Sequence, residues 1–166
     1  MTNIRILTVS DRGAKGEYED RSGALIAEII KNATDWVVSQ PTIVPDEKAI
    51  IAATLRQWCD DGVHLILTTG GTGFAPRDVT PEATRQIIER EAPGIAEGLR
   101  AESLKITKHA MLSRGVAGIR KQTLIINLPG SPKAVRENMD VLLPILPHAL
   151  ELLANQPTGE LGHRSV

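Results

Sequence analysis

The sequence predicts a three-layer α/β/α fold, with a mostly parallel β-sheet and helices on both of its faces. Two observations lead to this prediction. Short runs of β-branched and aliphatic residues, typical of buried strands, recur along the chain. Amphipathic stretches of helical period lie between these runs. Alternation of strands and helices favours a parallel sheet that is covered on both faces.

The first predicted elements are a strand, a helix and a second strand. Ile4–Val9 is the first strand, and the helix over Ser22–Asn32 carries its aliphatic residues on one stripe. Trp36–Val44 is the second strand. Pro41 indicates an edge position or a bend in it, because proline donates no hydrogen bond to a neighbouring strand. Pro45 ends it.

The middle of the chain predicts an amphipathic helix and a third strand. The helix spans Asp46–Asp61, and Gly62 ends it. Trp58 and Cys59 lie on its apolar face, so we interpret both as core residues. The strand spans His64–Thr68.

Two later helices are predicted to begin with a hydroxyl cap that is followed by proline. Their capping residues are Thr80 and Ser131. A further helix is predicted over Pro93–Leu104, and a fourth strand over Thr123–Leu128.

The chain length suits a single domain with a sizeable core, since 166 residues are present. No internal repeat, linker or second domain is apparent. Pro144 and Pro147 interrupt the last helix. We expect residues 1–156 to form the domain and residues 157–166 to form a mobile C-terminal tail.

Composition argues against several functions. The formal net charge is −1 and aromatic residues make up 2 % of the chain, so we expect no nucleic-acid partner. No apolar stretch reaches the about 18 residues of a membrane span, so we expect no membrane. Cys59 is the single cysteine, which indicates a reducing compartment and predicts a cytoplasmic protein.

The loops that follow the four strands form the candidate site, because ligands of open parallel sheets bind beyond the carboxyl ends of the strands. These loops contain Ser10 and Asp11, then Asp46, then a glycine-rich loop, then residues 127–132. Their backbone N–H groups and carboxylates suit an anionic, metal-bound ligand.

Each of these features also has a simpler interpretation. Gly70–Gly73 can form an anion-binding concavity, or it is only a tight turn. Asp78 can coordinate Mg²⁺, or it stabilises a turn. Asp46 lies where a helix N-cap belongs. Ser131 caps its helix, and that helix N-terminus can also bind phosphate.

Other polar residues are assigned no ligand role. The histidines lack the spacing of metal ligands; they are His64, His109, His148 and His163. Four basic residues are interpreted as solvated charges: Arg77, Arg114, Arg120 and Lys121. The sequence also lacks a complete dinucleotide fingerprint, a P-loop and a G-x-S-x-G elbow.

The chain resembles the molybdopterin adenylyltransferase family in five stretches: VSDR, PDE, TGGTGFAPRDVTPEAT, MLSRGVAGIR and LIINLPGSP. This MogA/MoaB-like family includes the G domains of gephyrin and of its plant counterpart. The resemblance covers nearly the whole chain in unbroken order. It implies transfer of AMP from ATP to the terminal phosphate of molybdopterin, with Mg²⁺ as cofactor. It also implies a homotrimer and a separate downstream protein that inserts molybdate.

The resemblance also implies roles for individual residues. Asp46 and Asp78 match the family's essential acids and are expected to hold or orient Mg²⁺ against ATP. The expected substrate-binding residues are Ser10, Asp11, Gly70, Gly71, Thr72, Gly73, Ser103, Ser113, Asn127, Pro129, Gly130 and Ser131. Ser103 and Ser113 match serines of the molybdopterin pocket. Ser10, Asp11 and the Asn127–Ser131 loop are expected on the nucleotide side. In the family, the position of Ser131 is often Asn.

Two other functions remain open at this stage. One is a molybdopterin-binding or scaffolding protein of the same fold that catalyses nothing, since fold alone does not prove activity. The other is a regulator that binds ATP without a pterin. The presence of both Asp46 and Asp78 favours the enzyme.

Overall fold

A seven-stranded sheet forms the centre of the structure, a computed structural model in which residues 1–154 are described. Its strands are β1 (Asn3–Val9), β2 (Val37–Val38), β3 (Thr42–Val44), β4 (Leu65–Thr69), β5 (Arg90–Glu91), β6 (Ala117–Arg120) and β7 (Thr123–Leu128). The helices are α1 (Asp11–Ala14), α2 (Arg21–Ala33), α3 (Lys48–Asp60), α4 (Thr80–Ile87), α5 (Pro93–Leu104), α6 (Pro132–Leu142) and α7 (Leu146–Leu153). A short 3₁₀ helix spans Lys108–Leu112.

The strand order is β2-β1-β4-β7-β6-β5, and β3 pairs with β1 beyond the end of β2. The three central strands, β1, β4 and β7, run parallel, with Ile6 opposite Leu67 and Leu67 opposite Ile126. Their carboxyl ends therefore meet at one edge of the sheet. The prediction of a mostly parallel sheet is confirmed.

Side chains of the central strands alternate between two hydrophobic cores, as the period of a strand requires. Ile6, Leu67 and Ile126 pack with residues of α2, α5, α6 and α7 on one face. Ile66 and Ile125 pack with residues of α3 and α4 on the other. The sheet therefore lies between two layers of helices, which confirms the predicted three-layer α/β/α architecture.

The predicted second strand is shorter and broken. Instead of one strand over Trp36–Val44, β2 and β3 lie at the edge of the sheet with residues 39–41 between them. Pro41 lies in this interruption, so the expected effect of proline is confirmed. The hairpin of β6 with β7, and the antiparallel pairing of β5 with β6, were not predicted.

The predicted helix caps are right at one position and wrong at two. The Ser131 hydroxyl accepts the Ala134 N–H at 3.1 Å and caps α6. Thr80 makes no cap, because its hydroxyl donates to the Gly70 carbonyl at 2.9 Å. Asp46 does not cap α3 either, since the capping position is Glu47 and no side chain caps that helix.

The remaining predictions concern the core and the chain ends. Trp58 and Cys59 are buried, as expected. The break between α6 and α7 covers residues 143–145, which confirms the predicted effect of Pro144, whereas Pro147 lies in the first turn of α7 and does not interrupt it. The predicted tail, residues 157–166, lies outside the described residues. Among residues 1–154, no helix combines the length and apolar character of a membrane span.

Candidate functional site

The glycine loop, residues 70–78, leaves β4 at the carboxyl edge of the sheet. Gly70 has a φ of +92° and its N–H donates to the Leu128 carbonyl at 3.3 Å. A Cβ on Gly70 would lie less than 3.0 Å from the Val9 carbonyl oxygen. This position therefore needs glycine because the loop passes between the ends of β1 and β7.

The next glycine has a second reason. Gly71 has a φ of +68°, and a Cβ there would lie 3.2 Å from Asp46 Oδ1 and even closer to the Thr80 hydroxyl. The missing side chain lets the Asp46 carboxylate and α4 approach the loop backbone closely. Both positive-φ glycines thus serve close packing at the site as well as the turn.

A cavity of about 470 Å³ opens beside the glycine loop. It is lined by most of the predicted substrate-binding residues and one predicted acid: Gly70, Gly71, Thr72, Gly73, Asp78, Ser103, Ser113, Asn127, Pro129, Gly130 and Ser131. Its far wall comes from α5, the 3₁₀ helix and α6. The structure therefore brings together residues that are up to about sixty positions apart in the chain.

Ser10, Asp11 and Asp46 lie outside this cavity, on the other side of the glycine loop. The Ser10 hydroxyl accepts the Gly13 N–H at 3.0 Å and caps the one-turn helix α1. Ser10 also lines a smaller cavity of about 170 Å³, which shares Gly70 and Gly130 with the larger one. The predicted site is thus divided into two adjoining parts.

Asp11 and Asp46 are joined by reciprocal hydrogen bonds between carboxylates and backbone. The Asp11 N–H donates to Asp46 Oδ2 at 2.8 Å, and the Asp46 N–H donates to Asp11 Oδ1 at 3.0 Å. These bonds fix the loop after β1 against the loop after β3. They explain how Asp46 is oriented without capping a helix.

Arg77 connects the tip of the glycine loop to the same pair, and its side chain stays 56 % exposed, so it is a solvated charge that also forms ion pairs. Its guanidinium donates to Asp11 Oδ2 at 2.6 Å and to Glu47 Oε1 at 2.8 Å. The hydrogen bond from Arg77 lowers the pKa of Asp11 below its ordinary value. Asp11 therefore stays ionised and committed to Arg77.

Asp46 has the opposite electrostatic balance. Burial raises the pKa of its carboxyl, and the like charges of Asp11 and Asp78 raise it further. Among residues 1–154, its Oδ1 accepts no hydrogen bond and faces Gly71. A nearby cation would relieve the cost of this charge.

Asp78, the last residue of the glycine loop, offers a second carboxylate. Its Oδ2 accepts the Ala75 N–H at 3.0 Å, which confirms the turn-stabilising interpretation. Within the described chain, Oδ1 accepts no hydrogen bond, and the residue lines the larger cavity. Asp46 and Asp78 thus each keep one oxygen for another partner.

This donor set fits Mg²⁺ that is also bound by a phosphate. In residues 1–154 no cluster of three or more acidic, histidine or cysteine side chains has the arrangement of a metal site. Mg²⁺ usually takes only one or two carboxylates and completes its shell with water and substrate phosphates. Two carboxylates beside an N–H-rich loop meet that description.

Arg114 was also interpreted as a solvated charge, and that interpretation is wrong because its guanidinium is bound to groups of the protein. Its guanidinium donates from Nε to the Gly73 carbonyl and from Nη2 to the Asp78 carbonyl, both at 2.7 Å. It is paired with Glu82. The Arg114 N–H also donates to the Thr72 carbonyl at 2.8 Å.

Asn127 lines the cavity, but its side chain is fully used inside the protein. Its Nδ2 donates to the hydroxyls of Thr68 and Thr84, both at 3.0 Å. Its Oδ1 accepts the Val116 N–H at 3.1 Å. The amide therefore ties β7 to β4, α4 and the segment before β6, and it shapes the wall of the site.

Residues from the far wall were not identified from sequence. Asn138 donates to the Ser103 hydroxyl at 3.3 Å, and Arg100 donates to the Gly115 carbonyl at 2.7 Å. His109 lines the cavity as well. No motif marks these residues, because each reaches the site from the side of a helix rather than from a strand end.

Thr72 belongs to the glycine loop, but it is only 6 % exposed. Its carbonyl accepts the Arg114 N–H at 2.8 Å. Substitution of Thr72 is therefore expected to affect stability as well as binding.

An open α/β sheet with a glycine loop, two available carboxylates and a cavity at its carboxyl edge is the arrangement expected of a protein that binds an anionic ligand. The family described as probable molybdopterin binding domain matches residues 5–148. The chain belongs to this family.

Individual relatives agree. Molybdopterin adenylyltransferase of Helicobacter pylori is 43 % identical over 91 % of this chain and 87 % of its own length. Gephyrin of Dictyostelium discoideum is 47 % identical, and the chain spans 24 % of its length. The solved structure of the molybdopterin biosynthesis enzyme MoaB from Thermus thermophilus superposes with a TM-score of 0.87 at 51 % identity, covering 95 % of this chain and 99 % of that one.

Proposed function

We propose that this protein is a molybdopterin adenylyltransferase of molybdenum cofactor biosynthesis, which transfers AMP from ATP to the terminal phosphate of molybdopterin. The observation that carries the proposal is that Asp78, at the end of the glycine loop, and Asp46, beside Gly71, each have one available oxygen next to a pair of adjoining cavities. Family membership and the names of full-length relatives support the same activity.

The proposed reaction is a phosphoryl substitution without a change of oxidation state. A terminal phosphate oxygen of molybdopterin attacks the α-phosphorus of ATP and forms a new P–O bond. The bond from that phosphorus to the bridging oxygen breaks, and pyrophosphate leaves with its electron pair. The nucleophile is already anionic near neutral pH, so the reaction requires no strong general base.

The main barrier is electrostatic, because one anion must approach another. Backbone N–H groups of the glycine loop stabilise phosphate charge, and they are held in place before the substrates bind. Substrates bound in the two adjoining cavities, which share Gly70 and Gly130, would lie next to each other, and this would supply proximity and orientation.

Asp46 and Asp78 are proposed to hold Mg²⁺ through their available oxygens. When bound, the cation would neutralise charge on the ATP phosphates. The raised pKa of Asp46 is consistent with this role, since its carboxylate is costly until a cation is near. Asp11 is proposed to orient Asp46 rather than to bind the cation, because Arg77 already occupies its oxygens.

The two substrates are assigned to the two parts of the site. The larger cavity, about 470 Å³, is of the size that encloses a small organic ligand, and Ser103 and Ser113 offer hydroxyls to a pterin there. Ser10 and Asp11, with Gly130, which lines both cavities, are assigned to the nucleotide, whereas Ser131 lines the larger cavity. At the N-terminus of α6, Pro132 has no N–H and the Ser131 hydroxyl accepts that of Ala134, so the Lys133 N–H is the one proposed for phosphate.

The family resemblance also supports a homotrimer, a separate downstream protein that inserts molybdate, and a cytoplasmic location. None of these depends on the chemistry of the site. Sedimentation of the purified protein tests the trimer.

The activity is tested by mixing purified protein anaerobically with molybdopterin, ATP and Mg²⁺ and identifying products by chromatography and mass. We expect adenylyl-molybdopterin only when all three components are present. Tight molybdopterin binding without product would favour the non-catalytic binding protein. Pyrophosphate release without molybdopterin would favour a nucleotide-binding protein of another kind.

Asp78→Asn separates binding from turnover. The substitution keeps the shape of the side chain and the acceptor for the Ala75 N–H but removes the charge. We expect molybdopterin binding to persist and turnover to fall at least about 100-fold, as is typical when one electrostatic contact of the transition state is lost. Wild-type turnover in this variant would refute the role of Asp78.

A further inference from the structure

Arg114 lies 36 residues after Asp78 in the chain, yet it donates three hydrogen bonds to the glycine loop. Its side chain reaches two loop carbonyls, Gly73 and Asp78, and its backbone N–H reaches a third, Thr72. We infer that Arg114 is the positioning residue of the glycine loop, and that it sets where the loop N–H groups and the Asp78 carboxylate meet the ligand phosphates. This inference rests on the proposed function.

The loop needs such support because its own hydrogen bonds are few. Within residues 70–78, Ala75 and Asp78 exchange a turn bond, with the Asp78 N–H donating to the Ala75 carbonyl at 2.9 Å. Phe74 and Arg77, at the tip, are exposed. Arg77 holds the tip of the loop through Asp11, and Arg114 holds the loop through the carbonyls of Gly73 and Asp78.

The arginine is itself held firmly. Glu82, in the first turn of α4, pairs with its guanidinium, and this pairing lowers the pKa of Glu82. Planar guanidinium groups donate in several fixed directions at once, which a lysine ammonium does not do. One side chain can therefore fix Gly73, Asp78 and α4 relative to each other.

A direct role on substrate does not fit the same contacts. Arg114 is absent from the residues that line the larger cavity within the described chain. Its Nε, Nη1 and Nη2 all donate to protein acceptors. Arg114 therefore acts through the loop, and loss of its side chain displaces Asp78 and the N–H groups together.

The test compares Arg114→Ala and Arg114→Lys with Arg120→Ala. Arg120 is a matched control, since it also bonds a backbone carbonyl, that of Ile87, and pairs with a glutamate, Glu89, but it makes no bond to the glycine loop. Hydrogen–deuterium exchange of the peptide that covers residues 70–79 is measured without substrates, together with kcat, KM and the thermal midpoint.

We expect faster exchange of the 70–79 peptide in both Arg114 variants and wild-type exchange there in Arg120→Ala. We expect kcat to fall about 100-fold in Arg114→Ala, as for displacement of a catalytic group by about 1 Å. In Arg114→Lys the thermal midpoint recovers, because the Glu82 pair remains, but kcat does not. Turnover that follows the midpoint across all three variants, or unchanged loop exchange, would overturn the inference.

The two proposals fail in different ways. A wild-type protein that makes no adenylyl-molybdopterin overturns the proposed function, while loop exchange still decides the role of Arg114. Active wild type with unaffected Arg114 variants overturns only the positioning role. Should Arg114→Ala not fold, Glu82→Gln weakens the same anchor without removing the guanidinium and gives a smaller rise in exchange.

Discussion

Substitution of Gly70 by alanine tests the packing that brings the glycine loop to the site. Two costs are expected. The first is the left-handed backbone conformation at φ +92°, which costs a residue with a side chain about 1–2 kcal/mol. The second is the collision of the new Cβ with the Val9 carbonyl oxygen at less than 3.0 Å. That oxygen belongs to the backbone of β1, so it cannot rotate away, and overpacking of this kind costs about 1–3 kcal/mol.

Gly62→Ala is the matched control. Gly62 has a φ of +79°, and nothing lies within 4 Å of a Cβ built on it. It therefore carries the first cost without the second. The gain from a less flexible unfolded chain is the same in both variants and cancels in their difference.

The assay is thermal unfolding by circular dichroism, with urea unfolding as a check on free energy. The overpacking difference of about 1–3 kcal/mol corresponds to a midpoint for Gly70→Ala about 2–12 °C below that of Gly62→Ala in a domain of this size. Equal midpoints for the two variants would refute the claim that β1 and the loop are in close contact at Gly70.

Three further predictions concern the polar groups around the site. Arg77→Gln should raise the pKa of Asp11 toward its ordinary value, as read from carbon-13 NMR titration of the carboxyl, since the Arg77 hydrogen bond is what lowers it; an unchanged pKa would contradict the ion pair. Glu82 has a pKa lowered from 4.5 by Arg114, so its pair stabilises the fold above about pH 4.5 and is lost as the pH falls through the lowered value. Glu82→Gln should thus lower the urea midpoint at pH 7, and its difference from wild type should shrink as the pH falls below 4.5; a difference that is constant with pH would contradict this. Asn127→Ala should cost about 1–3 kcal/mol in urea unfolding because it leaves buried partners unsatisfied, and a neutral effect would contradict the hydrogen bonds assigned to the amide.

The central strands could be predicted because burial on both faces makes them continuous apolar runs. His64–Thr68 differs by only one residue at each end from the observed β4, Leu65–Thr69. The short strands β5 and β6 could not be predicted in the same way. β5 has only two residues, both exposed and charged, so its strand character comes from pairing with β6 and not from its own composition.

At the site, sequence predicted which loops converge but not how their side chains are used. Thr80 and Asp46 both stand at positions typical of helix caps. The close passage of the glycine loop draws the Thr80 hydroxyl to Gly70, and the reciprocal bonds with Asp11 take Asp46. These alternatives depend on contacts between distant segments, which local patterns do not encode.

The roles of the arginines were missed for the same reason. Arg77 and Arg114 carry no local sign of their partners, which lie 66 and 41 residues away at Asp11 and Gly73. Only the parallel sheet brings those loops to one edge. Sequence motifs therefore do not identify side chains that, like these two, position a site from outside its cavity.

The central claim is that the glycine loop brings the α-phosphate of ATP to a phosphate of molybdopterin. It is tested most directly by following ATP labelled at the α-phosphate or at the γ-phosphate through a single turnover with molybdopterin and Mg²⁺. We predict that the α label appears with the pterin and the γ label appears in pyrophosphate. An α label that stays in ATP while molybdopterin is bound, or a γ label that is transferred to the pterin, would contradict the account.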